Sequence, residues 1–246
     1  MNQPCEPPAL SPASHGFFFD VDGTLAPIQS QPDNVTIAPR VIAALTQLAA
    51  ASGQALALIS GRPLNQLDSL FFPLHLPLAG IHGAERRDSS GSIYNVLLPQ
   101  QTYQRVVQIL HQAVITMPSV TLENKNVAFT LHYRSAPHMA SEVLALAQTV
   151  ASQFRQLTLQ PGKCVAELKP AGCDKGTAIT AFMQEVPFRG RIPVFIGDDL
   201  TDESGFAVVN TQGGYTIKVG GGQTLACYRL ADAEAVHTWL EQLILQ

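Results

Sequence analysis

Residues 17 to 25, Phe-Phe-Phe-Asp-Val-Asp-Gly-Thr-Leu, place two carboxylates two residues apart where an apolar run gives way to a glycine. The phenylalanines read as a strand and Gly23 as the turn that ends it. In an extended chain, side chains at i and i+2 point the same way, so Asp20 and Asp22 are expected to share one small volume. Like charges that close invite a bound cation or a raised pKa, and either outcome suits metal-assisted phosphoryl transfer. Asp22-Gly23 could instead open a hairpin turn, but a second alternating strand should then follow at once. Pro27, Gln29 to Gln31, Pro32 and Asp33 follow instead.

Beyond this run, short apolar segments alternate with helical patterns. Strands are expected at 17–19, 55–59 and 78–81, and helices at 39–51 and 64–71. Such alternation predicts a parallel sheet with right-handed crossovers. Residues 85–96 break the rhythm with a hairpin around Asp88-Ser-Ser-Gly-Ser92. From Pro99 to Lys169 the order becomes helix 100–117, strands 120–125 and 127–134, helix 138–154 and strand 163–169. The first rhythm then resumes with helix 174–185, strand 193–196, helix 203–208 and strand 215–219. The predicted fold class is α/β: a Rossmann-like parallel-sheet core with a smaller inserted α+β cap domain. The expected boundaries are a loose proline-rich leader at 1–15, core at 16–98 and 170–246, and insert at 99–169.

Composition narrows the function. With 46% hydrophobic residues, 14% charged residues and a net charge of -4, the chain has no electrostatic footprint for nucleic acid or an anionic membrane. An anionic substrate must therefore be met locally. The four cysteines form no Cys-x-x-Cys pair, which argues against a zinc knuckle or a disulfide framework and for a reducing cytoplasm. The first 39 residues contain no Lys or Arg, and no apolar run reaches the roughly 18 residues of a membrane span. Neither signal peptide nor anchor is expected, and the chain is expected to act as a monomer.

In an open parallel sheet, ligands sit beyond the carboxyl ends of the strands. Three places qualify: Asp20 with Asp22, Ser60-Gly-Arg62, and Gly197-Asp198-Asp199. Carboxylates from the first and third would suit Mg²⁺, a hard ion that takes oxygen ligands. Asp20 could then attack phosphorus and Asp22 move the proton. Ser60 offers a hydroxyl to a phosphoryl oxygen. Lys175 opens a helix, where a lysine opposes the dipole unless it serves an anion. Four acids in Asp198-Asp-Leu-Thr-Asp-Glu203 exceed what a helix start needs, even with Thr201 as cap. Asp198 is the expected metal ligand, Asp199 and Asp202 its supporting residues. Gly220-Gly-Gly222 lacks the Gly-Lys-Ser/Thr continuation of a phosphate loop, which disfavours nucleotide binding. His82 and His132 have no spacing that suits zinc.

Alternation in the insert gives each strand one polar face, with Thr121, Glu123 and Lys125, then Thr130, His132 and Arg134, then Lys163, Glu167 and Lys169. Amphipathic helices can cover only the apolar face. The polar face is thus a candidate lid for a polyhydroxylated substrate, with Lys125, Arg134 and Glu167 foremost.

Over nearly its whole length the chain resembles the haloacid dehalogenase superfamily, whose four motifs match Asp20-Val-Asp-Gly-Thr-Leu25, Ser60, Lys175 and Gly197-Asp-Asp199. More narrowly, Leu58-Ile-Ser-Gly-Arg62, Ala79-Gly-Ile-His-Gly-Ala-Glu-Arg86, Leu131-His-Tyr-Arg134, Glu167-Leu-Lys-Pro170 and Gly197-Asp-Asp-Leu-Thr-Asp-Glu203 look like those of the bacterial trehalose-6-phosphate phosphatase family. The resemblance implies a Mg²⁺-dependent sugar-phosphate phosphatase, with Asp20 as nucleophile and Asp22 as acid and base. Ser60 and Lys175 would assist, and Asp20, the Asp22 backbone carbonyl and Asp198 would hold the ion. It further implies substrate contacts at Asp20, Val21, Asp22, Arg62, Gly83, Glu85, Lys125, His132, Arg134 and Glu167. Other sugar-phosphate phosphatases and phosphomutases share the four motifs, and a non-catalytic binding module could retain the core.

Overall fold

In the computed structural model, residues 6–29 and 34–245 are described. Residues 1–5 of the expected leader, with Cys5, and residues 30–33 lie outside them. The chain divides after Tyr94 and before Asp174 into two compact units, the outer segments forming one and Asn95–Cys173 the other.

The first unit contains β1 (His15–Phe19), α1 (Pro39–Ala51), β2 (Leu56–Ile59), α2 (Leu64–Phe71), β3 (Leu78–Gly80), β4 (Glu85–Arg87) and β5 (Ile93–Asn95). In the second unit are α3 (Gln100–Ile115), β6 (Thr121–Asn124), β7 (Phe129–His132), α4 (Ala140–Gln153), β8 (Leu157–Gly162) and β9 (Val165–Pro170). The chain then returns through α5 (Lys175–Met183), β10 (Ile192–Gly197), α6 (Glu203–Thr211), β11 (Tyr215–Val219), β12 (Tyr228–Leu230) and α7 (Ala233–Ile244).

The first unit's sheet runs β12-β11-β10-β1-β2-β3-β4-β5, parallel from β12 to β3 and antiparallel from β3 to β4. Alternate side chains of β1 serve opposite faces. Phe17 and Phe19 join Leu45, Leu67, Leu240 and the rest of the cluster formed with α1, α2 and α7. Phe18 faces the other way, onto Ile179, Phe182 and Phe206 of α5 and α6. The triple-phenylalanine strand is therefore buried on both faces, as a central parallel strand requires. Leu10 is 2% exposed and belongs to the first cluster, so the described end of the leader is anchored rather than loose.

The second unit has the sheet β6-β7-β9-β8, antiparallel throughout, with α3 and α4 packed on Phe129, Leu131, Ala166 and Leu168. β8 was not expected, because Pro161 and Gly162 break its strand pattern; as an edge strand it tolerates the proline. Lys163, expected on β9, lies with Cys164 in the turn that joins β8 to β9.

β12 and α7 were likewise not expected. Helix α7 is capped by the Asp232 side chain, which accepts from the Ala235 amide, and it buries Val236, Trp239, Leu240 and Leu243 along one face. Among the described residues, no helix is long and apolar enough to cross a membrane, and Cys164, Cys173 and Cys227 carry free thiols. Because α7 completes the cluster under β1, Leu240→Ala should destabilise the protein by about 2–5 kcal/mol. Urea unfolding measures this, and a change below about 1 kcal/mol would show α7 to be peripheral.

Candidate active site

Strand order reverses between β1 and β10, and such a switch point is where an open parallel sheet leaves a crevice beyond its carboxyl ends. Asp20 follows β1 and Asp198 follows β10, and Phe19 and Ile196 are partners in register. The Asp20 amide donates to the Ile196 carbonyl at 2.9 Å, which fixes its backbone beside β10. Gly23, at φ +91°, lets the turn after β1 approach this point: a Cβ there would lie 2.1 Å from Asp198 Oδ2.

Lys175, 2% exposed, donates to Asp20 Oδ1 at 2.7 Å and to Asp202 Oδ1 at 2.6 Å. The other Asp202 oxygen accepts from the amides of Asp198 and Asp199 at 2.9 and 3.0 Å. Thr24 Oγ1 donates to Asp20 Oδ2 at 3.3 Å. Asp199 caps the short turn at Leu200–Asp202, accepting from the Thr201 amide and hydroxyl at 2.8 and 2.6 Å. Thr201, expected as the cap, is thus the donor to it.

Burial pushes Asp20 up to about 7 against the pull of Lys175. Asp198 rises to about 7 and Asp202 to about 8, burial again leading and neighbouring carboxylates adding. Burial also works against the Lys175 ammonium, but Asp20, Asp202 and Asp199 outweigh it and hold its pKa above the ordinary lysine range. Burial acts to raise Asp199 too, yet Lys175 and Thr201 keep it below its usual value.

Asp20, Asp198 and Asp202 bring oxygen atoms within 4.8 Å of one another. An all-oxygen donor set, buried at Asp20 and Asp202 and half-buried at Asp198, with surplus negative charge fits a hard divalent cation. Asp202 spends its oxygens on Lys175 and on the backbone of its own loop, so Asp20 and Asp198 are the better placed to hold it.

Asp20 and Asp22 have different partners in this structure. β1 ends at Phe19, so strand alternation stops before either residue. The Asp22 carboxylate instead receives a two-pronged bond from Arg62, Nε to Oδ2 and Nη2 to Oδ1, both at 2.7 Å. Ser60, 1% exposed, accepts from the Arg62 amide at its Oγ at 3.2 Å, linking the hydroxyl to this pair.

Three expected substrate contacts have structural duties. The Val21 side chain is buried, and its carbonyl accepts from the amides of Thr24, Leu25 and Ala26. Gly83, at φ +96°, leaves room beside α5: a Cβ there would lie 2.9 Å from the Asp174 carbonyl. Glu85 accepts from the Leu64 amide at the start of α2 at 3.0 Å.

In the second unit, register sets Glu123, Thr130, Glu167 and Gln160 side by side on one face. Lys125 Nζ and Thr130 Oγ1 both donate to Glu167 Oε1, at 2.8 and 3.0 Å. His132 Nε2 lies 2.8 Å from Glu123 Oε2, and that bond holds Glu123 below its usual range. Thr130, Glu167 and Lys169 are buried. Arg134 sits in the turn after β7, where it donates to the Lys163 carbonyl at 3.3 Å.

A family model described as trehalose-phosphatase matches residues 18–233. The chain belongs to the trehalose-phosphatase family. Over 238 residues it is 51% identical to the trehalose-6-phosphate phosphatase of Escherichia coli (strain K12), covering 97% of this chain and 89% of that protein. The C-terminal domain of Candida albicans trehalose-6-phosphate phosphatase superposes with a TM-score of 0.82 at 24% identity, covering 94% of this chain and 93% of that one. A haloacid dehalogenase-like hydrolase from Bacteroides thetaiotaomicron gives a TM-score of 0.71 at 15% identity, covering 94% and 99%. The family's α/β fold with a parallel-sheet core is thus shared with haloacid dehalogenase-like hydrolases, and its members are phosphoric monoester hydrolases.

Two contributors escaped the sequence analysis. Thr24 lies inside the first motif, four residues after Asp20, and its hydroxyl was the available signal. Lys218 is 5% exposed at the end of β11 and donates to the Asp198 carbonyl, a buried lysine in an apolar strand.

Asp20, Asp198 and Asp202 are raised from an ordinary 3.8, so the stability they contribute is full below that value and lost as pH rises through about 7 to 8. Asp199, shifted down, acts only in more acid solution. The melting temperature in EDTA should therefore fall from pH 5 to pH 8, and Mg²⁺ should restore more at pH 8. Equal Mg²⁺ shifts at the two pH values would refute this account of the acidic group.

Proposed function

We propose that the chain hydrolyses trehalose 6-phosphate to trehalose and inorganic phosphate, the last step of trehalose biosynthesis, through an aspartyl phosphate on Asp20 with Mg²⁺ as cofactor. The observation that carries the reading is the buried Asp20 carboxylate, held by Lys175 at 2.7 Å and grouped with Asp198 at the switch point of the sheet. The 51% identity to the Escherichia coli enzyme supports the substrate.

Asp20 and Asp198 would hold Mg²⁺, which when bound supplies positive charge to the phosphoryl oxygens. Lys175 fixes one Asp20 oxygen, and the other, which accepts a long bond from the Thr24 hydroxyl at 3.3 Å, attacks phosphorus as the bond to the sugar oxygen breaks. Asp22 gives its proton to the departing trehalose, then takes one from the water that attacks the aspartyl phosphate, so Asp20 and phosphate are released. Arg62 occupies both Asp22 oxygens in this structure. An arriving phosphate offers Arg62 another acceptor of matching geometry, which frees Asp22 to carry the proton. Ser60 gives its hydroxyl to a phosphoryl oxygen. The polar face of the second unit, chiefly Glu167 and Lys125 with His132 and Arg134 at its margin, offers donors and acceptors that suit the hydroxyls of a sugar.

A panel of sugar phosphates with Mg²⁺, scored by released phosphate, tests the reading. Trehalose 6-phosphate should be turned over far faster than glucose 6-phosphate, and Asp20→Asn should lose at least about a thousandfold. Equal turnover of the two esters would sink the substrate assignment, and retained activity in Asp20→Asn the nucleophile. Glu167→Gln should raise KM for trehalose 6-phosphate by about tenfold while leaving hydrolysis of a small aryl phosphate within about twofold. Equal losses on both esters would place Glu167 outside sugar recognition.

A further inference from the structure

We propose that His237, on α7, is a positioning residue for the Asp20 and Asp198 carboxylates, acting through the carbonyl of Leu25. The inference rests on the reading of those carboxylates as Mg²⁺ ligands. His237 is 6% exposed, with Nε2 2.8 Å from the Leu25 carbonyl and Nδ1 3.2 Å from Arg40 Nη2. A carbonyl only accepts, so Nε2 carries the hydrogen, while Nδ1 faces Arg40 and lies 3.7 Å from Glu234 Oε2. Arg40, on α1, is itself paired with Glu234, one turn earlier on α7.

The turn that His237 grips is tied together by its own backbone bonds. The Val21 carbonyl gathers the amides of Thr24, Leu25 and Ala26 at 3.3, 3.0 and 3.0 Å, and the Gly23 amide donates to the Ala26 carbonyl at 2.7 Å. Its far side touches both carboxylates: Thr24 binds Asp20, and Gly23 leaves no room for even a Cβ beside Asp198. Leu25 is buried in the same apolar cluster as Val236 and Leu240, on either side of His237 in sequence. Apolar packing is non-directional and sets the depth of the turn. The directional bond from His237 sets its rotation, and hence how Gly23 and Thr24 meet the two carboxylates.

Calorimetric titration of the full chain with Mg²⁺ tests this, alongside kcat and KM for trehalose 6-phosphate and melting in EDTA to confirm folding. His237→Phe keeps a ring and removes the N–H; His237→Gln places an amide N–H near the position of Nε2. His237→Phe should bind Mg²⁺ roughly tenfold more weakly, with the loss in kcat rather than KM, as for outer partners of a metal site. His237→Gln should stay within about threefold of wild type, because the donor survives. Unchanged Mg²⁺ affinity in His237→Phe, or equal losses in both variants, overturns the proposal. If His237→Phe does not fold, Arg40→Met decides: it removes the Nδ1 partner and should weaken Mg²⁺ binding, and unchanged affinity there overturns the proposal. A wild type that takes up no Mg²⁺ overturns the metal reading and this inference with it; unequal fates of wild type and variant separate the two.

Discussion

A single buried ammonium holds together three segments that are far apart in the chain. Lys175 binds Asp20 after β1 and Asp202 after β10, and Asp202 in turn gathers the amides of Asp198 and Asp199. Without that cation, the acids would face one another in a medium that screens charge poorly. With it, the Asp20 and Asp202 carboxylates have fixed directions, and the backbone of the Asp198 loop is tied to the same point. The helix start that makes Lys175 unfavourable by dipole is overridden by the charge it meets.

The surplus of acid over base that remains has a physical cost, since burial raises Asp20, Asp198 and Asp202 together. Local strain of this kind is common where a protein must receive charge from outside. Neutralisation by a cation and delivery of a phosphoryl group then draw on the same imbalance. The Arg62–Asp22 pair, in contrast, is balanced and partly exposed, with 10% and 37% of the two side chains accessible. The Lys175 contacts lie almost wholly out of reach of water.

Much of this was legible in the chain. The alternation of strands and helices and the polar face of β7 and β9 follow from side-chain periods, and Asp20, Ser60, Lys175 and Asp198 stand just beyond strand ends or at a helix start. At Asp22 the period of two no longer speaks, because it holds only while the chain stays extended, and β1 stops at Phe19. β8 was hidden by Pro161 and Gly162, and α7 by an apolar stripe outside the alternating rhythm. A duty discharged by a backbone atom, such as that of the Val21 carbonyl, leaves no mark in residue type. His237 belongs to the same class, since a histidine inside an amphipathic helix signals nothing until its carbonyl partner is located.

The placement of β1 between β10 and β2 bears on how the molecule is made. Synthesis delivers Asp20 early, but the strand that flanks it on one side begins at Ile192, after the whole second unit has emerged. Lys175 and Asp202 arrive equally late. A nascent chain therefore presents Asp20 to water, ordinarily acidic and without its cation partner, and the sheet cannot close around it until the last third is available. Chemistry at Asp20 is thereby tied to completion of the fold.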